Sequence, residues 1–90
     1  MAQIIVSPRE LRNFARELSE LTNTIKDRDR SLMEGLRSLG GTWKDERYTR
    51  FSRAAETMAL QLQGFYRISE RYVQFLGQKA SAAEKYLGRR

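Results

Sequence analysis

Leu39-Gly40-Gly41-Thr42-Trp43-Lys44-Asp45-Glu46 lies near the middle of a 90-residue chain and is the place where helical patterning breaks. Two adjacent glycines can take the left-handed backbone that ends a helix, and the Thr42 hydroxyl can cap the next one. Acidic Asp45 and Glu46 then suit the first turn of that second helix, where they complement its dipole. The stretch predicts the bend of a hairpin: one helix over about 8–39, a turn over 40–42 and a second helix over about 43–87.

The segment before the bend supports this. Ser7-Pro8-Arg9-Glu10 has an N-cap hydroxyl, proline at the first helical position and glutamate at the third, with Val6 and Leu11 spaced for a hydrophobic staple. Ala2 to Val6, partly β-branched, reads as an extended arm leading into that cap. From there Leu11, Leu18, Ile25, Leu32 and Leu39 recur at heptad spacing, with Phe14 and Leu21 as a companion row. Arg28 and Gly35 then interrupt the companion row within and just after the alternating run Lys26-Asp27-Arg28-Asp29-Arg30, which predicts a solvated face with local ion pairs. At 1.5 Å per residue this helix is about 48 Å long.

The second helix carries a wider stripe. Phe51, Met58, Phe65 and Tyr72 form one row, Tyr48, Ala55, Leu62, Leu76 and Ala83 a second, and Ala54, Ile68, Phe75 and Ala82 a third. A seam for one partner helix needs only two rows. Gly64 either permits a close helix approach or is simply tolerated there. Leu87-Gly88-Arg89-Arg90 reads as a helix stop with its charges at the favourable end of the dipole. The expected fold is therefore all-α, an antiparallel helix-turn-helix hairpin in a single domain. Its surplus apolar rows predict pairing into a four-helix bundle with a second copy or a similar hairpin. The residues expected to be withdrawn from water in that core and dimer interface are Leu18, Leu21, Ile25, Leu32, Phe51, Met58, Leu62, Phe65 and Tyr72.

Composition narrows the chemistry. The chain has no histidine and no cysteine, so the commonest catalytic base and metal ligand and all thiol chemistry are absent. Serine and threonine lack a basic partner, and Gly40-Gly41 lacks the Lys-Ser/Thr of a phosphate-binding loop. No enzyme, cofactor or metal is expected. Seventeen basic against eleven acidic residues leave a net charge of +6, concentrated after the bend, where ten basic face five acidic side chains. Arg47, Arg50, Arg67 and Arg71 form the candidate basic patch. On charge alone a small nucleic-acid-binding bundle is the rival reading, and binding to an anionic membrane surface a third. No apolar run approaches the length of a membrane span or a cleaved signal peptide, so any export is expected to be leaderless.

A hairpin of this size with tryptophan at its turn resembles the WXG100 (ESAT-6-like) family, and the resemblance covers almost the whole chain. Gly40, Gly41, Trp43 and Asp45 carry it: Trp43 matches the tryptophan of the family's Trp-Xaa-Gly turn, while Asp45 stands at the glycine position. The resemblance implies a homodimeric or heterodimeric four-helix bundle. It further implies a type VII (ESX) secretion substrate or an escort of a larger effector, cytoplasmic before export, with a secretion ATPase as a further partner. The family's Tyr-Xaa-Xaa-Xaa-Asp/Glu export signal is matched by Tyr66 and Glu70, in mid-helix.

Overall fold

The computed structural model describes residues 6–88 and consists of two helices, α1 (Pro8–Leu39) and α2 (Glu46–Gly88), packed antiparallel as a hairpin 68 × 23 × 13 Å in extent. The all-α hairpin expected from the periodicity is what the chain forms; the extended arm ahead of Val6 and the closing Arg89-Arg90 lie outside the described residues. α1 begins as its cap pattern dictates. Ser7 is extended (φ −94°, ψ 113°) and its hydroxyl accepts the Glu10 amide at 3.2 Å, with Pro8 opening the helix.

The bend differs from expectation in three respects. Among the described residues no glycine has positive φ, and Gly40 is right-handed (φ −62°, ψ −16°). The glycines matter for lack of bulk instead, Gly40 leaving room for the Tyr48 ring tip. Thr42 does not cap α2: its hydroxyl turns back to the Leu39 carbonyl at 3.3 Å. The cap is Asp45, whose Oδ1 accepts the Tyr48 amide at 3.1 Å, so the turn runs over 40–45 and α2 starts at Glu46 rather than near 43. A carboxylate outcompetes a hydroxyl here because it accepts a charge-assisted bond at the positive end of the dipole.

The seam between the helices is built from small residues. The buried positions are Ala15, Thr22 and Leu36 on α1 and Tyr66, Ser69 and Ala80 on α2. Half-buried Leu11, Leu18, Ile25 and Met33 flank them on α1, as do Ala55, Ala59, Leu62, Val73 and Leu76 on α2. Thr22 is tolerated in this dry position because its hydroxyl donates to the Leu18 carbonyl at 2.7 Å. Full burial of a large apolar side chain is worth about 1.5–3 kcal/mol, and this seam buries only one leucine and one tyrosine to that degree. The hairpin alone therefore draws little hydrophobic stabilisation from its own interior.

Candidate interaction surface

At the hinge, three side chains lock the bend. Tyr48 reaches back from α2 so that its hydroxyl donates to the Leu36 carbonyl at 2.9 Å, a group that also accepts the Gly40 amide at 3.1 Å. Its ring crosses edge-on to Trp43 (centroids 5.4 Å apart, 69°), and the Trp43 indole donates to Asp45 Oδ2 at 2.9 Å. Asp45 thus serves two donors, one per oxygen, and together the Tyr48 amide and then the Trp43 indole hold its carboxyl below the usual carboxylate range. A Cβ at Gly40 would run into the Tyr48 hydroxyl and ring tip. Gly40, Trp43 and Asp45 therefore form one assembly with Tyr48, which the sequence had placed only in an apolar row. Gly41 stands beside it, a Cβ there meeting the Ser38 carbonyl at 3.2 Å.

Of the nine residues expected in the core or dimer interface, Leu18, Ile25 and Leu62 are half-buried against the seam. Leu21, Leu32, Phe51, Met58, Phe65 and Tyr72 are not part of the hairpin's own core: they remain exposed, as do Phe14, Leu39, Ile68 and Phe75, by between 38% and 62%. The cause is the choice of seam. The row Ala15, Thr22, Asp29, Leu36 lies at the centre of α1's contact, which displaces the large apolar rows to one side. On α2 the rows through Ser52 and Tyr48 face α1, and the rows through Phe51 and Ala54 are displaced likewise. Rows displaced in the same rotational sense on two antiparallel right-handed helices fall on the same side of the pair. The ten exposed residues consequently fall on one side of the hairpin and give it an apolar face.

The opposite side is polar, and its contacts confirm the sense of rotation. Arg12 forks onto Glu84 (3.0 and 2.6 Å) and also donates to Ser81 at 3.1 Å, while Lys26 pairs with Glu70 at 2.8 Å. The two pairs are fourteen residues apart on each helix, two heptads, and so fix the antiparallel register. Solvated pairs add little energy, but a one-turn slip would break both at once. The hydrogen bond from Arg12 holds the Glu84 carboxyl below its ordinary range, and Glu84 in turn raises the Arg12 guanidinium. A groove of about 280 Å³ runs along this side, lined by Ser19, Thr22, Asn23, Ser69, Glu70, Val73 and Gln74.

Tyr66 and Glu70 are brought together with α1 rather than offered to solvent as a pair. Tyr66 is buried in the seam with Lys26 Nζ 5.4 Å from its ring centroid, and Glu70 is held by that same lysine. Among the described residues the Tyr66 hydroxyl has no hydrogen-bond partner, and burial, followed by the nearby Asp29 charge, pushes its pKa up. The basic patch is split by the structure. Arg50, Arg67 and Arg71 lie on the solvent side of α2, Arg50 paired with Glu46 at 2.9 Å, whereas Arg47 falls on the row of Ala54 and Ile68 at the edge of the apolar face. Among the described residues no cluster of acidic side chains could hold a metal ion, and no helix is long and apolar enough to cross a membrane. No family model and no curated protein matches the sequence.

Proposed function

We propose that this chain is a non-enzymatic interaction protein whose apolar face docks a second helical hairpin, closing a four-helix bundle. The observation that carries the reading is the single face of ten large apolar side chains, each left roughly half open to water. Taking about 150–250 Å² for a fully buried aromatic, the open halves present on the order of 800 Å². A standard interface buries about 800 Å² per partner, whereas isolated monomers rarely leave so large a patch uncovered. The partner is a second copy or a similar hairpin, since either supplies a matching stripe of the same length.

The resemblance to WXG100 proteins at the Trp43 turn supports a place in type VII secretion, as a small substrate or as the escort of a larger effector. Sedimentation equilibrium tests the first part. A dimer at micromolar concentration is expected, reduced to monomer by Leu21→Glu with Phe65→Glu; a folded, fully helical wild-type monomer at that concentration would refute it. For the second part, the tagged chain is followed into the medium of cells with and without a type VII membrane ATPase. Release that depends on the ATPase is expected, and equal retention in both strains removes the secretion role while leaving the bundle.

A further inference from the structure

We propose that the solvent side of α2, centred on Leu60, is a second docking surface, separate from the apolar face, for an acidic amphipathic segment of a partner protein. Leu60 is 68% exposed and stands off both the seam and the apolar face. It shares a row with Arg53 and Arg67, seven residues to either side. The neighbouring row runs Arg50, Thr57, Gly64, Arg71. Two arginines therefore flank the exposed Leu60 at each end, and Gly64 leaves open space beside it where a Cβ would stand. Arg53 and Arg67 are about 21 Å apart along the axis at 1.5 Å per residue.

The charges of α2 are sorted by face, and that sorting selects the occupant. Glu56, Glu70 and Glu84 repeat every fourteen residues on the row turned toward α1, and two of them are occupied by Lys26 and Arg12. Glu46, bonded to Arg50, is the single acid on the rows of Leu60 and Gly64, and the exposed Glu56 borders Leu60 one turn toward the start of the helix. Among the described residues Arg53, Arg67 and Arg71 make no ion pair. Arginine with an apolar centre fits a helix that carries acidic residues around one large apolar side chain, because carboxylates satisfy the guanidinium forks while the apolar group covers Leu60. Charge alone would also admit a polynucleotide, which gains nothing from Leu60. It would equally admit the outer side of α1 in another copy, acidic through Glu17, Glu20 and Asp27, but there Thr24 and Ser31 offer no large apolar group.

The probe is a synthetic helical peptide with glutamates around one central leucine, titrated by fluorescence anisotropy against the full chain at low and raised salt. Saturable binding is expected, weakened about tenfold by Arg67→Glu with Arg71→Glu, and several-fold by Leu60→Gln or by glutamine for the peptide's leucine. Circular dichroism and sedimentation of each variant check that helix content and assembly are unchanged. Absence of binding, or binding indifferent to Leu60, overturns the proposal. So does a single-stranded DNA oligonucleotide binding as tightly as the peptide, or salt-sensitive self-association abolished by the same arginine variants.

Discussion

Replacing Gly40 by alanine isolates what holds the bend. The substitution puts a methyl where the Tyr48 hydroxyl and ring tip now sit, at a backbone conformation that alanine itself favours. Tyr48 must leave, giving up its bond to the Leu36 carbonyl, worth about 0.5–1.5 kcal/mol net, and its edge contact with Trp43, worth about as much again. Alanine returns up to about 1 kcal/mol in helix propensity. The expected outcome is a net loss of about 0.5–2 kcal/mol, read from urea unfolding followed by far-ultraviolet circular dichroism at fixed protein concentration. In a Tyr48→Ala background the three atoms nearest the new methyl are gone, so Gly40→Ala should there be neutral or stabilising. A Gly40→Ala variant as stable as the parent, or an equal loss in both backgrounds, would show that Tyr48 does not clamp the hinge.

Three further outcomes follow from particular side chains. Gly64 faces open space on the solvent side of α2, so Gly64→Ala should stabilise the chain by about 0.5–1 kcal/mol without changing its sedimentation, a loss of stability contradicting that placement. Asp45 and Glu84 both have folded pKa values below their unfolded ones. The stability they contribute is complete above about pH 5 and is lost as pH falls through the folded values, so Glu84→Gln should flatten the acid limb of a stability profile. Tyr66 has the opposite sign, because its raised pKa makes the neutral phenol the favoured folded form. An ultraviolet titration should show a tyrosine ionising above the usual phenol range, with stability falling as pH rises beyond about 10, and Tyr66→Phe should remove that late step.

Much of the architecture was legible along the chain. The Ser7-Pro8 cap, the heptad rows and the double glycine were enough for two helices and their antiparallel arrangement, because caps, periodicity and breakers are local and act within a few residues. Even the surplus of apolar rows on the second helix could be counted. The details of the turn were less so: a threonine and an aspartate are both good caps, and only the folded chain shows Asp45 taking the role because Trp43 and Tyr48 both converge on it. In the arginine cluster, spacing alone could not separate Arg47, at the rim of the apolar face, from Arg50, Arg67 and Arg71 on the solvent side.

The order of residues along the chain already required a hairpin with more apolar surface than one hairpin can cover. Which rows face inward was decided by tertiary structure. Hydrophobic periodicity weights leucine and phenylalanine and passes over Ala15, Thr22, Ser69 and Ala80, yet all four lie buried in the seam. They do so because small side chains let two long helices approach closely, and the ion pairs Arg12–Glu84 and Lys26–Glu70 hold that register from the polar side. The large residues are thereby turned to one face, and the same rotation leaves Leu60 and its arginines on another.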